Sequence, residues 1–538
     1  MRIDKVYIED FKNLKKFCID LDTEQMNTVL LGKNATGKSN FIESLVLIFK
    51  FLDLSTENKR DFPEFNYWIQ YTCRNNTIEI DHLSKGYKIL INSVETSFSN
   101  FFSDEGKAKY LPKYVFTYYS GLSDRLDKAF WKHQNQFYKE IIKEDFDKNK
   151  LDNLRRLFYV KQIHSFFVLL AFFSLPNMEK KSKDFLKNIL GIEGLESILF
   201  IIKQATWINK RGDKRFFGAV GLVQQFLSVL WDYSLAPIHF KETVYPDFRS
   251  KGVYQEQLYL YLSDKKKLED FASKYFDINS EIPNNTFLFK ALESTYISEL
   301  LSEVKVKVRK TIDGQVTFKE LSEGEQQLLT VIGLLIFTRE DESLILLDEP
   351  DTHLNPIWKY DYLHFLTNLV KSKERLENDE INDDSNEDST TQILINTHDP
   401  LVIGSMLKSQ VRMFVRNVSK NDLPDVIGND NTFNKLKRKA LKEAFEPDIN
   451  PRGLGVAGIL TSELFGLKTI VDRETGKLLE ERNNLLYRQS KGDATESDLL
   501  RLQQLFEELS NQGFNHNFKD PLYTEYIINK MKEADNSL

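Results

Sequence analysis

Three short stretches of this chain carry residue types that together could hold and cleave a phosphoanhydride. Gly32-Lys33-Asn34-Ala35-Thr36-Gly37-Lys38-Ser39 has the spacing G-x-x-x-x-G-K-[ST]. Its glycines let the backbone turn tightly and aim N–H groups at phosphate oxygens, while Lys38 reaches the outer phosphates and the Ser39 hydroxyl is a ligand for Mg²⁺. Leu344-Ile345-Leu346-Leu347 leads into Asp348-Glu349-Pro350, an apolar run ending in two carboxylates. There Asp348 is expected to hold Mg²⁺, through water if not directly, and Glu349 to take a proton from the attacking water. Leu321-Ser322-Glu323-Gly324-Glu325-Gln326-Gln327 is the third stretch. Its Ser322 and Glu325 form a helix-opening capping box, or its hydroxyl and first amides face the γ-phosphate of a nucleotide on another subunit.

Each stretch needs a particular element to present it. Thr28 to Leu31 reads as a buried strand, and the residues from Asn40 to Leu52 read as a helix, so the Gly-rich segment is a strand-to-helix turn. Ser343 to Leu347 reads as a buried parallel strand, stopped by Pro350 and followed by a polar turn, Asp351 to Pro356, and an amphipathic helix from Ile357 to Val370. Ile393-Leu394-Ile395 is one more apolar strand, with His398 just past its end. Its order after the two carboxylates makes His398 a candidate contact to the γ-phosphate as well as an ordinary strand-end residue. ATP and Mg²⁺ are the expected ligands, with Gly32 to Ser39 and the neighbouring Asn40 on the phosphates.

These motifs in this order resemble the ABC-type ATPases of the SMC, RecF and Old-nuclease group. In that resemblance Gly32 to Ser39 is the Walker A loop, Leu321 to Gln327 the signature, Leu344 to Glu349 the Walker B strand and His398 the switch histidine. Ile3 to Leu14 resembles the first strand and turn of such heads, and Tyr118-Tyr119-Ser120-Gly121 a segment of their N-terminal lobe. Overall length, a helical insertion and the tail around Gly458 to Gly466 further resemble the PtuA family of Septu and retron-associated phage defence. The resemblance implies an α/β fold: an ABC-type P-loop ATPase head, a mixed sheet with flanking helices, plus a mainly helical insertion and a helical C-terminal tail. It divides the chain into 1–121, the lobe with Walker A; 122–300, the insertion; 301–415, the lobe with signature, Walker B and His398; and 416–538, a helical region for partner or self-association.

What the resemblance implies about function is an ATPase regulating a separate nuclease. Ser322, Gly324 and Glu325 of one subunit would complete the ATP site of another, so the unit is at least a homodimer. The implied partner is the HNH nuclease PtuB, with a reverse transcriptase and its RNA–DNA product in some systems. A RecF- or SMC-like DNA-repair clamp without a toxic effector is the alternative. Two departures stand out. Glu323 occupies a position that is Gly in many transporters, and Asp351-Thr352-His353 replaces a Ser-Ala-Leu-Asp type turn. Both favour a soluble head over a transporter motor. No Q-loop glutamine can be assigned, since nothing in the setting of Gln70 selects it.

The rest of the chain mainly excludes. With 538 residues it is long enough for two to four domains. A net charge of −7 gives no broad footprint for nucleic acid, although the alternating Lys305 to Lys310 and the cluster Lys435, Lys437, Arg438, Lys439 and Lys442 are local basic faces. Cys18 and Cys73 are too few for a disulfide scaffold or a four-cysteine zinc site. The start lacks a signal-like segment, and the most apolar run, Phe166 to Leu175, has about half the length needed to span a bilayer. A cytoplasmic protein with no membrane contact is therefore expected. Lys139 to Phe158 and Gln162 to Leu175 read as helices, the acidic 374–388 as a loop, and Thr461 to Leu467, Leu478 to Gln489 and Glu496 to Gln512 as tail helices. No Toprim arrangement follows His398, and His516 is too isolated for an HNH centre.

Overall fold

A computed structural model describes residues 1–84, 86–121, 123–143, 155–175, 180–205, 212–244, 249, 251–275, 284–311, 314–317, 321–333, 335, 342–370, 390–414, 432–467 and 469–511. The acidic 374–388 segment and His516 lie outside them, as does the stretch 144–154. The chain forms two compact units, Met1–Leu454 and Gly455–Leu538.

The first unit is α/β, built on a thirteen-stranded mixed sheet. One side is an antiparallel meander in the order Val94–Glu95, Lys88–Ile91, Asn76–His82, Tyr67–Cys73, Arg2–Phe11 and Leu14–Asp20. Lys442–Phe445 then joins it to six parallel neighbours: Val411–Phe414, Asn27–Leu31, Gln392–Asn396, Leu344–Asp348, Val115–Tyr119 and Leu157–Val160. Parallel strands are covered on both faces, so they read as continuous apolar runs instead of alternating. Leu344–Asp348 and Gln392–Asn396 are buried at every position. The helix Lys38–Leu54 covers one face, burying Phe41, Leu45, Ile48, Phe49 and Leu52.

The sequence-based elements lie close to those observed, with Asn27–Leu31, Leu344–Asp348, Pro356–Val370 and His164–Phe173 all where periodicity put them. Two boundaries differ. The helix expected from Lys139 to Phe158 is a helix Arg125–Ile141, and Leu157–Val160 is a strand, because Leu-Phe-Tyr-Val is an aromatic and branched run that pairs with Val115–Tyr118. The first tail helix runs Gly455–Thr461, upstream of the expected Thr461 to Leu467.

Between Gly121 and Leu301 the chain supplies helices, among them Gly221–Tyr233, Lys265–Tyr275 and Asn284–Ile297, together with strands. Apart from Leu157–Val160, these strands join a second sheet, of five strands among the described residues, in the order Ile238–Val244, Val253–Leu262, Ile192–Lys203, Leu301–Lys310 and Gly314–Thr317. The alternating Lys305 to Lys310 is thus a strand as expected, with Val304, Val306 and Val308 buried. At the end of the helix Lys38–Leu54, Asp53 takes Arg156 at 2.9 Å and His133 at 3.0 Å. Burial opposes its charge, but the hydrogen bond with His133 and the charge of Arg156 outweigh it and hold its carboxyl down at about 2.

The second unit contains Gly455–Thr461 and the helices Arg473–Lys491 and Glu496–Asn511. Asp472 caps the former long helix by accepting from Glu474 N and Thr475 N, and Gly492 ends it at φ 77°. Leu485, Leu502 and Leu505 pack the pair together. Among the described residues no helix is long and apolar enough to cross a membrane.

Candidate nucleotide site

The carboxyl ends of four adjacent parallel strands meet at one place, where open α/β sheets bind ligands. Leu31 gives way to the Gly-rich turn, Asp348 to Glu349, Asn396 to Thr397 and His398, and Tyr119 to Ser120. The turn closes on itself through Thr36, whose Oγ donates to Lys33 O at 2.8 Å. Gly37 caps the helix Lys38–Leu54 at φ 113°, where a Cβ would lie 2.7 Å from Leu14 and 2.9 Å from Asn13. Only glycine fits there. At Gly32 a Cβ would lie 2.9 Å from the Phe414 carbonyl oxygen. Asn13 braces the turn from outside, donating to Ala35 O at 2.8 Å and accepting from Asn40 at 2.7 Å.

Lys38 is buried, and its ammonium donates to Gly32 O at 2.7 Å and Lys33 O at 3.2 Å. Burial pulls its pKa down to about 8 despite the nearby Glu349 and Asp348 carboxylates. The side chain is thus folded onto the turn that a phosphate would fill. The Ser39 hydroxyl donates to Asp348 Oδ1 at 3.1 Å, and the Asn396 amide donates to the same oxygen and to Ser39 Oγ at 3.3 Å. Asp348 is fully buried and its other oxygen, Oδ2, has no hydrogen-bond partner. Burial raises its pKa.

A hydroxyl, a carboxylate with an unused oxygen and an amide are the hard oxygen donors that Mg²⁺ takes, with one or two protein carboxylates and the rest from phosphate and water. Among the described residues no group of three or more His, Cys, Asp or Glu could hold a metal by itself. That agrees with a metal shared with a ligand.

Glu349 stands beside this cluster in the left-handed region at φ 53°, its N–H donating to Asn396 O at 2.8 Å. Desolvation, then the charges of Asp351 and Asp348, push its carboxyl up to about 7. His398 Nε2 lies 3.3 Å from Glu349 Oε1. Burial and then Lys38 lower that imidazole to about 4, so near pH 7 it is neutral and the contact is no ion pair. Asp351 is buried and accepts from Thr397 Oγ1 at 2.8 Å. Burial is the main cause raising its carboxyl to about 6.

Ser322, Gly324 and Glu325 form a separate cluster. Ser322 caps the helix Glu323–Leu328, its Oγ accepting from Glu325 N at 3.2 Å while Glu325 Oε2 accepts from Ser322 N at 2.8 Å. Glu325 also takes Lys310 at 2.7 Å. Burial opposes its charge, but Lys310 and the Ser322 donors outweigh burial and hold its pKa low. A Cβ on Gly324 would sit 2.5 Å from His353 O, and His353 N donates to Gln327 Oε1 at 3.0 Å. The close approach at Gly324 is therefore to the turn after Walker B.

Sequence reasoning gave no role to Asn396, Asn13 and Arg125, and it reached Ser120 only by resemblance, within the segment Tyr118 to Gly121. Ser120 N donates to Asp348 O at 3.2 Å and its hydroxyl lies 3.2 Å from Thr352 Oγ1. A polar residue at the carboxyl end of an apolar parallel strand was the available signal for Asn396 and Ser120. Gln70 lies in the antiparallel meander, opposite Lys5 and Glu79.

Residues 233–404 match the family model described as AAA domain, putative AbiEii toxin, Type IV TA system. That stretch contains Leu321 to Gln327, Leu344 to Glu349 and His398. Over 448 residues the chain is 22% identical to the retron Vc95 probable ATPase of Vibrio cholerae serotype O1 biovar El Tor, spanning 77% of this chain and 73% of that protein. The chain is thus similar, over part of its length, to an AAA-domain model and, more broadly, to a probable ATPase. A 104-residue stretch is also 28% identical to the DNA replication and repair protein RecF of Lactobacillus acidophilus, covering 18% of this chain and 27% of RecF. Among solved structures, the SMC head bound to the C-winged helix domain of ScpA matches 77% of this chain and 94% of its own chain, at 10% identity and a TM-score of 0.29. So loose a superposition carries no argument.

Proposed function

We propose that this chain binds and hydrolyses ATP with Mg²⁺, and that it is the regulatory ATPase of an anti-phage defence complex. One observation carries the first part: the Ser39 hydroxyl, the buried Asp348 carboxylate with its unpartnered oxygen, and Glu349 with His398 converge where the Gly32 to Ser39 turn ends. In this reading residues 32–40 cradle the phosphates and Lys38 leaves the Gly32 and Lys33 carbonyls to meet them. Ser39 and Asp348 hold the metal, which supplies charge neutralisation at the phosphates. Glu349 takes the proton of the attacking water as that oxygen bonds to the γ-phosphorus and the bond to ADP breaks. A carboxyl near 7 suits that work. Neutral His398 donates its N–H to the γ-phosphate.

Ser322, Gly324 and Glu325 serve a second subunit in the same reading, making the working unit a homodimer or larger, with lobes 1–121 and 301–415, an insertion at 122–300 and a partner-binding region at 416–538. The defence role is supported by the relative whose name couples a retron to a probable ATPase and which the chain matches over 73% of its length. A separate HNH nuclease of the PtuB kind would then be the effector, with a reverse transcriptase and its RNA–DNA product as further partners. The RecF stretch favours a second reading, a DNA-repair clamp, but covers only 27% of RecF.

Calorimetry and a phosphate-release assay test the chemistry together. Lys38→Ala should abolish ATP binding, whereas Glu349→Gln should bind ATP and turn it over at least a hundredfold more slowly. Parental ATP affinity in the first variant, or undiminished turnover in the second, would remove the assigned roles. An adjacent small HNH reading frame favours defence; replication or repair genes favour the clamp.

A further inference from the structure

The unpartnered Oδ2 of Asp348 faces a cation that the proposed mechanism does not use. Arg125, the first residue of the helix Arg125–Ile141, places Nη2 3.9 Å from that oxygen. This is too far for a hydrogen bond and close enough for strong attraction. The same guanidinium donates from Nη1 to Asn40 Oδ1 at 3.2 Å, brings Nε to 3.8 Å from Glu43 Oε2 and lies over the Tyr119 ring at 5.4 Å. Its Nε is buried without a hydrogen-bond partner, as Oδ2 of Asp348 is. A half-buried guanidinium and a fully buried carboxylate thus face each other across a gap, each with one buried polar atom lacking a hydrogen bond. Lys38 is tied to backbone carbonyls, and Lys12 bridges to Glu43. Arg125 and, less strongly, Lys38 both offset the charge of Asp348, and Arg125 is the one whose guanidinium comes within 4 Å of the unpartnered oxygen among the described residues.

We propose that Arg125 stands in for the metal: it holds the outer oxygen of Asp348 while no nucleotide is bound, and Mg²⁺ must displace its charge to enter. This rests on the reading of Asp348 as the metal residue. A divalent ion near Asp348 would repel a guanidinium on the far side of the same carboxylate, while ATP phosphates beside Asn40 would attract it. Arg125 is then a positioning residue. It keeps the buried carboxylate from being left uncompensated, and it sets the Mg²⁺ concentration at which ATP is taken up. A purely structural arginine would change stability without moving that concentration.

The experiment is a Mg²⁺ titration of fluorescent-ATP binding to the full chain, for the parent, Arg125→Gln and Arg125→Lys, with Lys38→Ala as the control for the nucleotide site. Removing one positive charge about 4 Å from the carboxylate should lower the half-saturating Mg²⁺ on the order of tenfold in Arg125→Gln. Arg125→Lys, which keeps the charge, should stay within about threefold of the parent. An unchanged or raised Mg²⁺ requirement in Arg125→Gln overturns the proposal, as does a fall of the same size in Arg125→Lys. If Arg125→Gln does not fold, the lysine variant decides alone: a Mg²⁺ midpoint near that of the parent sustains the proposal and a tenfold fall refutes it. A parent that binds no nucleotide at any Mg²⁺ concentration would instead refute the nucleotide site itself.

Discussion

Replacing Glu349 by glutamine should stabilise the nucleotide-free protein while it destroys turnover. In the folded chain burial and the neighbouring Asp351 and Asp348 hold this carboxyl at about 7, against an ordinary value of 4.5. Because its folded pKa is raised, the folded state binds the proton more tightly than the unfolded one, so stability is lost as pH rises from about 4.5 through 7. Tenfold in proton affinity is about 1.4 kcal/mol, which makes the full penalty about 3 kcal/mol above pH 7. The side chain is 30% exposed, and screening by water reduces the expected effect to about 2 kcal/mol. Glutamine carries no charge and keeps the shape, so the variant should resist urea better by about that amount at pH 8. At pH 5 the gap should shrink to about half a kcal/mol, since the folded parent is then protonated. Equilibrium urea unfolding of both proteins at the two pH values measures this directly. A variant no more stable than the parent at pH 8, or a gap that widens toward acid, would refute the account of a strained acidic cluster.

Two further outcomes follow from the same site. With Glu349 near 7 and Lys38 near 8, kcat/KM for ATP should be bell-shaped, rising through about pH 7 as the base ionises and falling above about pH 8 as Lys38 loses its charge; a flat profile from pH 6 to 9 would contradict both assignments. Mixing Lys38→Ala with Ser322→Arg subunits should restore about a quarter to half of parental ATPase if one subunit's signature completes the other's site, and mixed dimers confirmed by mass yet silent would exclude independent shared sites.

Much of the site could be read from the sequence because its chemistry is local. The Gly-rich turn announces itself by glycine spacing between an apolar strand and a helix, and the strand before Asp348 by its unbroken aliphatic run. The capping box of Ser322 and Glu325 was equally visible, since it spans three residues. Asn396 was not. It matters only because Gln392–Asn396 lies between Asn27–Leu31 and Leu344–Asp348, a strand order that no local pattern encodes. Arg125 escaped for the same reason, as its partner Asn40 is more than 80 residues away, and Ser120, whose partner Thr352 is more than 200 residues away, was reached only by resemblance. The five-stranded sheet was harder still, because its central strand Ile192–Lys203 pairs with Leu301–Lys310 across helices such as Gly221–Tyr233, Lys265–Tyr275 and Asn284–Ile297.

The position of Asn27–Leu31 in the sheet also bears on how the protein is made. Its two neighbours are Gln392–Asn396 and Val411–Phe414, while Phe414 packs against Gly32. A ribosome therefore releases the phosphate-binding turn early, yet the walls of that turn emerge only after more than 350 further residues. Such distant pairing is slow to form, and until it forms the edges of an apolar strand stand open to other chains. The nascent protein should thus be unable to grip nucleotide until about residue 414 has left the exit tunnel, so an incomplete copy cannot act as a premature ATPase. Stalled chains ending before and after that point, probed with a photo-crosslinking ATP analogue, would show labelling switch on across a narrow window of length.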